Sequence, residues 1–289
     1  MFIADGWSDY EILDCSDGEK LERWGDKILV RPDPQIVWKS DRPAEEWKKA
    51  DARYNRSKSG GGSWHSYKKI PDSWRIKYRN LTFAVKPMGF KHTGIFPEQA
   101  ANWDWFSKLI EDEGNREVNV LNLFAYTGGA TIAAAAAGAR VCHVDAAKGM
   151  VAWAKENAAF SGLKEHPIRY IVDDVKKFAE RELRRGRKYD AIIMDPPSYG
   201  RGPNGEVWKI ENEIFDLISL CVKLLSDEPL FFLVNSYTTG LSGSVMKNIC
   251  KLTVERKFGG FITADEIGLP VSNSDIVLPC GYSTRWQRG

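Results

Sequence analysis

From residue 118 onward, apolar runs and amphipathic stretches alternate five times, at intervals of about 20–25 residues. Few folds accept that rhythm. VNVLNLF (118–124), RVCHVD (140–145), IRYIVD (168–173), YDAIIMD (189–195) and LFFLVNS (230–236) predict strands, the first and fourth of them buried. TIAAAAAG (131–138), GMVAWAKENAAFSG (149–162), VKKFAERELRRG (175–186), NEIFDLISLCVKLL (212–225) and SVMKNICKLTV (244–254) predict the helices between and after them. FGGFITA (258–264) and IVLPCGYST (276–284) close the chain as two strands with no helix between them, which predicts one antiparallel strand. The expected fold class is α/β, a doubly wound parallel sheet with right-handed crossovers. Ligands of such sheets bind at the carboxyl ends of the strands, so the residues just after each strand matter most.

The first strand runs into NLFAYTGG (122–129). Gly128 and Gly129 permit a sharp entry to the helix and a close approach by a ligand, or serve as plain turn glycines. The turn is neither G-x-G-x-x-G nor a P-loop, so a pyrophosphate is poorly served. Asp145, at the end of the second strand, can accept from ribose hydroxyls or cap the next helix. Asp173 and Asp174 end the third strand; Asp174 can accept from an adenine amine or cap the helix that starts at Val175. The fourth strand ends in Asp195-Pro196-Pro197-Ser198-Tyr199. Two prolines fix φ and remove two backbone donors while leaving carbonyl acceptors. Asp195 and Tyr199 add a carboxylate and an aromatic face, a set that can grip a planar amine or heterocycle. The other reading is a rigid loop with a helix cap.

These motifs, in this order and register, resemble a class I S-adenosylmethionine-dependent methyltransferase. With TGIFPEQ (93–99) upstream, residues from about 80 to 289 resemble the large-subunit ribosomal RNA methyltransferases, which include cytosine-C5 and guanine-N7 enzymes. The resemblance implies a Rossmann-like, seven-stranded domain over 89–289 and S-adenosylmethionine as cofactor. It implies that Phe124, Ala125, Tyr126, Thr127 and Gly128 wrap the methionine part and that Asp145 holds the ribose. Asp174 and Val175 would hold the adenine, and Phe96 and Gln99 would close over the cofactor. Asp195, Pro196, Pro197 and Tyr199 would face the methyl group and the substrate. Cytosine-C5 chemistry needs a cysteine nucleophile. DPPSYG and VNSYTTG contain none, and Cys280 is the one remote candidate, so the expected acceptor is a base nitrogen in RNA, ribosomal RNA in particular.

Composition marks a different first half. Residues 53–91 carry ten Lys or Arg against one acid, Asp72, although the chain as a whole is only +2. Eight of eleven tryptophans lie in the first 105 residues. KILV (27–30), QIVW (35–38) and LTFAV (81–85) predict strands, SKSGGGS (57–63) a loop, and 1–88 a smaller β-rich region that can bind substrate. Tyr54, Trp64, Tyr67, Trp74 and Tyr78 can stack bases beside cations that neutralise phosphates, or fill the interior of a solvated sheet. Residues 97–113 have helical spacing and lead into the second half. The loop 200–208 can fold over substrate through Arg201 and Trp208, or remain a plain surface loop.

Five scattered cysteines and histidines without ligand spacing (His65 and His92 among them) argue against disulfides and metal. No apolar run nears the ~18 residues of a membrane helix, and the acidic start MFIADGWSDYE is unlike a targeting peptide, so a cytoplasmic location without membrane is expected. The rival functions are methylation of a small molecule or protein, a nicotinamide oxidoreductase on the same sheet, and an RNA-binding protein without activity. The oligomeric state stays open.

Overall fold

A computed structural model describes residues 1–57, 61–89, 91–201, 207–238 and 240–289. Backbone contacts divide the chain into two compact units. The larger holds 1–2, 101–267 and 280–289; the N-terminal unit holds 3–100 and 268–279. The segment 89–100, placed with the second half on sequence, groups with the N-terminal unit by contacts.

The strands of the larger unit are β1 (Asn119–Leu123), β2 (Arg140–Asp145), β3 (Ile168–Val172), β4 (Ala191–Met194), β5 (Phe231–Ser236), β6 (Phe261–Pro270) and β7 (Val277–Gln287). Their order is β6-β7-β5-β4-β1-β2-β3. A two-residue strand, Phe2–Ile3, lies beyond β6, so the sheet has eight strands where seven were expected. Strands β1 to β5 pair in parallel, and β7 runs antiparallel to β5. The helices are α1 (Ala100–Asp112), α2 (Gly129–Ala136), α3 (Lys148–Phe160), α4 (Val175–Arg184), α5 (Ile210–Val222) and α6 (Gly243–Cys250). Helix α2 packs on α3, while α4, α5 and α6 form a second contiguous group.

All residues of β4 and β5 are buried, as expected for central strands covered on both faces. The parallel register sets Leu123 opposite both Val144 and Met194, and Asp145 opposite Val172. The residues after β1, β2, β3 and β4 therefore emerge at one level, along one lip of the sheet. The alanine run of α2 gives a surface of small side chains, and Thr131 to Ala135 are buried. Asn102, Asn235, Ser283 and Arg285 form a buried polar network: Asn102 Nδ2 and Ser283 Oγ donate to Asn235 Oδ1 (3.1 and 2.6 Å), and Arg285 Nε donates to Asn102 Oδ1 (2.8 Å).

The N-terminal unit is β-rich. Tyr10–Ser16, Glu19–Trp24, Lys27–Pro32, Ala52–Arg56 and Gly62–Ser66 form a five-stranded sheet in that order, and Trp74–Tyr78 pairs with Leu81–Val85 as a hairpin. Asp17 and Gly18, both at positive φ (50° and 79°), close the first hairpin of the sheet. The expected strand at 35–38 is a turn instead. Ile36 is buried, Val37 is 87% exposed, and Gly18 N donates to Ile36 O (2.7 Å), so the apolar pair is split between core and solvent.

Inside this sheet lies a charged pair. Glu22 and Arg31 are buried, and Arg31 donates through Nε (2.6 Å) and Nη2 (2.7 Å) to the two carboxylate oxygens. Tyr10 donates its hydroxyl to the same carboxylate (2.6 Å). Burial alone would raise the Glu22 pKa; the Arg31 and Lys20 charges overturn that and hold it at about 2.

Most aromatics of the basic stretch serve packing. Tyr54 and Tyr78 are buried, Trp64 donates to Met88 O and Trp74 to Trp24 O (2.9 Å each), and Tyr67 alone of the five is exposed. Among the described residues, no helix is long and apolar enough to cross a membrane, and no cluster could hold a metal ion.

Candidate cofactor and active site

The turn after β1 is strained. Phe124 (φ 56°), Tyr126 (φ 49°) and Gly128 (φ 84°) all adopt left-handed conformations within five residues. Two of them carry a Cβ, and such backbone costs of order 1–3 kcal/mol per residue unless the surroundings impose it. The surroundings do. Asp145 Oδ2 accepts from Tyr126 N (2.8 Å), Val144 O from Ala125 N (3.1 Å), and Asn157 Nδ2 donates to Thr127 O (3.0 Å) from the buried face of α3.

The two glycines do allow a close approach, but to protein. A Cβ on Gly128 would sit 2.9 Å from Ala154 Cβ, and one on Gly129 2.7 Å from the Trp103 ring. Beneath the turn, Asn122 Nδ2 donates to Thr131 Oγ1 (2.9 Å), which pairs with His143 Nδ1 (2.9 Å). His143 is fully buried, and burial pushes its pKa down to about 3, so the ring is neutral. Sequence reasoning missed Asn157 and His143; the available signal was a polar residue on an otherwise apolar face.

Asp145 uses each oxygen once on the backbone: Oδ2 on Tyr126 N, Oδ1 on Ala147 N (2.8 Å). A carboxylate has about four acceptor sites, so capacity for ligand hydroxyls remains. Asp173 takes Asp174 N on one oxygen (2.8 Å) and pairs the other with Arg181. Asp174 is the N-cap of α4, accepting from Lys177 N (2.9 Å), and is exposed; Val175, next to it, is buried. The cap and the proposed adenine contact thus fall on one side chain.

Asp195 stands one residue past β4, and its N–H still pairs with Leu123 O (3.4 Å). Pro196 is buried; Pro197 and Tyr199 are exposed. The Pro197 carbonyl already accepts one hydrogen bond, from the Trp208 indole N–H at 2.6 Å, and keeps a second lone pair for a ligand. The stretch after it is not a plain surface loop, since Tyr199–Arg201 pairs antiparallel with Val207–Lys209. Residues 202–206 and the Arg201 side chain lie outside the described residues. Trp208 also packs its ring on Phe124 (centroids 5.8 Å, 47°). It therefore joins the turn after β1 to the turn after β4. Phe96 and Gln99 belong to the N-terminal unit, where Phe96 meets His92 edge-on (5.1 Å) and Gln99 is buried.

This donor set offers oxygen acceptors at successive strand ends and no open glycine cradle, because Ala154 and Trp103 fill the space beside Gly128 and Gly129. It suits an adenosyl cofactor that has hydroxyls and an amine but no phosphates, the class defined by a doubly wound sheet with acids along its lip. Residues 51–212 match the S-adenosylmethionine-dependent methyltransferase family, and the chain belongs to that family. A solved S-adenosylmethionine-dependent methyltransferase from Agrobacterium tumefaciens is 35% identical, with a TM-score of 0.94 over 99% of this chain and 93% of that one. A Streptococcus mutans structure described as belonging to the same enzyme class shares the fold at 20% identity (TM-score 0.74, 98% of this chain and 76% of that one). Among curated relatives, "Ribosomal RNA large subunit methyltransferase K/L" of Shewanella frigidimarina is 29% identical over 218 residues, covering 74% of this chain and 26% of the relative. The protein of that name from Syntrophotalea carbinolica is 26% identical over 187 residues, covering 64% and 25%. The chain spans about a quarter of the length of these relatives. Its cofactor is S-adenosylmethionine, the cofactor of the family.

Proposed function

We propose that this methyltransferase modifies a nitrogen of a base in ribosomal RNA. The observation that carries the choice of atom is the state of the thiols. Cys15, Cys142, Cys221 and Cys250 are buried, and burial pushes their pKa values up to about 12, 11, 12 and 12. The fifth, Cys280, is only partly buried and lies on β7 beside Gly281, which closely approaches Ser236 and Tyr237 at the end of β5; in this proposal it takes no part in the transfer. A carbon acceptor such as cytosine C5 needs a reactive thiolate at the site, whereas a ring or exocyclic nitrogen brings its own lone pair. The names of the curated relatives support ribosomal RNA.

S-adenosylmethionine, when bound, supplies an electrophilic methyl group on a positively charged sulfur. In this proposal the Phe124–Gly128 turn and Asp145 hold the cofactor's methionine and ribose, and Asp174 with Val175 holds its adenine. Asp195 accepts a hydrogen bond from the target base and aligns its nitrogen, Tyr199 offers a face to stack the base, and Pro196-Pro197 keep the loop rigid. Orientation of this kind supplies much of the rate of a group transfer. The β-rich region 1–88 would add phosphate contacts through its basic stretch. The base must leave its stack to reach this lip.

The test is transfer of labelled methyl to unmodified ribosomal RNA. Label should appear with the wild type. Asp195→Ala should lose it by at least ~10³-fold, about 4 kcal/mol of transition-state stabilisation, while S-adenosylmethionine affinity changes little. Nuclease digestion should place the methyl on a base nitrogen; label on cytosine C5 would refute the choice of atom. One observation favours a second reading, a small-molecule or protein acceptor: four of the five aromatics proposed to stack bases are buried or held by backbone hydrogen bonds. Steep salt dependence of substrate binding marks RNA, and a flat one the alternative.

A further inference from the structure

Helix α4 carries more positive charge than its packing uses. Residues 176–188 hold seven Lys or Arg against two acids. The buried face of the helix is Val175, Phe178, Ala179 and Glu182. Glu182 is already committed: its carboxylate accepts from the Tyr189 hydroxyl (2.7 Å), Arg169 (3.2 Å) and Arg185 (3.1 Å). Arg181 is paired with Asp173. Arg184 and Arg187 are exposed, and among the described residues neither forms an ion pair.

More cations join them. Lys188 Nζ donates to Lys223 O (2.8 Å) and Lys257 Nζ to Val222 O (3.4 Å), so both ammonium groups sit over the last carbonyls of α5. The Lys257 pKa is lowered, by burial first and then by the Lys188 charge; Asp227 opposes the shift. One cation would suffice for a helix end, where the gain is about 0.3–1 kcal/mol per charge. Like charges gathered beyond that need repel one another and act against folding. A cluster kept at such a cost calls for an anionic partner. Arginines that are exposed and unpaired suit phosphate, which their planar fork can grip with two hydrogen bonds.

The cluster precedes β4, which starts at Ala191, and lies beyond the end of α5, whereas the site residues follow the strands. We infer that Arg184, Arg187 and Lys188, with Lys257, form a docking surface for RNA phosphates that grips the substrate away from the methylated base. This rests on the RNA reading above and names where that substrate is held.

The test compares wild type, Arg184→Gln/Arg187→Gln and a charge control, Lys39→Gln, on ribosomal RNA transcripts over a salt series. With single-stranded contacts, each phosphate lost should reduce the slope of log affinity against log salt by about 0.7, so the double variant should lose about 1.4. Its KM for RNA should rise ~10-fold at moderate salt, a loss typical of removing phosphate contacts. Its kcat and S-adenosylmethionine affinity should match wild type, and its Tm should hold or rise as repulsion is relieved. If wild type methylates RNA and the double variant keeps its slope and KM, or changes no more than Lys39→Gln does, the docking surface is refuted and the RNA reading stands. If wild type neither binds nor methylates RNA while still binding the cofactor, both fall together.

Discussion

Arg31 and Arg285 are both buried guanidinium groups, and the two units keep them by opposite means. In the N-terminal unit Arg31 meets a carboxylate along its whole fork and also lies over the Trp24 ring at 5.0 Å. Burial alone would lower its pKa, but Glu22 reverses this and raises it. In the larger unit Arg285 has neutral partners: Asn102 Oδ1 (2.8 Å), Ala101 O (2.9 Å), the Phe2 ring at 3.6 Å and the Trp105 ring at 5.1 Å. Burial there pushes its pKa down to about 10. The same side chain is therefore held by one strong ion pair in the first case and by several weak dipoles and ring faces in the second. Removing a charge should be costly only where it leaves an opposite charge stranded.

The largest effect should come from Arg31→Met. It leaves Glu22 ionised and buried without its partner, and should cost about 3–5 kcal/mol in chemical denaturation. Adding Glu22→Gln to it should restore most of that loss; failure to do so would break the comparison.

Acid titration should give the next largest change. His92 and His143 have folded pKa values pushed down, to about 4 and about 3, chiefly by burial. Their contribution is present above the unfolded value near 6.5 and is lost as pH falls through the folded values. Glu22, held at about 2, adds a contribution that is complete above about 4.5 and lost as pH falls through 2. The two ranges overlap between about 3 and 4.5, so stability should decline continuously from about 6.5 to about 2, and Arg31→Met should remove the part of the decline below about 3. An unchanged acid limb in Arg31→Met would count against the ion pair as described.

Trp208→Phe keeps a ring for Phe124 and loses the donor to Pro197 O. We expect kcat to fall about tenfold, 1.4 kcal/mol, with S-adenosylmethionine affinity unchanged. A change in cofactor affinity with normal kcat would contradict the link between the two turns. The smallest effect should be that of Arg285→Met. It removes the donor to Asn102 Oδ1 and Ala101 O in exchange for relief of a buried charge, and should move stability by no more than about 1 kcal/mol. A loss as large as that of Arg31→Met would erase the distinction between the two arginines.

The larger unit was legible because its signals are local. Central strands such as AIIM in β4 are continuous apolar runs, and Asp145, Asp173, Asp174 and Asp195 stand at or just after the strand ends. The partners of these residues were not legible. Trp208 reaches Pro197 only through the hairpin register that sets it opposite Gly200. Glu22 lies in EKLERW, where nothing in the letters marks a buried charge; it is the strand pairing of Glu22 with Leu29 that turns it inward toward Arg31. In QIVW the apolar letters suited a strand, but a turn places Ile36 and Val37 on opposite sides.

The paired prolines after Asp195 set a limit of another kind. A strand lengthens by offering another N–H to its neighbour, and Pro196 and Pro197 have none to offer. The strand β4 therefore ends at a height fixed by covalent structure, with Asp195 as its last rung against Leu123. Insertions or exchanges in the hairpin beyond Ser198 can therefore be absorbed without moving that carboxylate. On the function proposed above, the chemistry and the choice of substrate can then diverge separately in descent, with Asp195 as the fixed benchmark and the hairpin as the part free to vary.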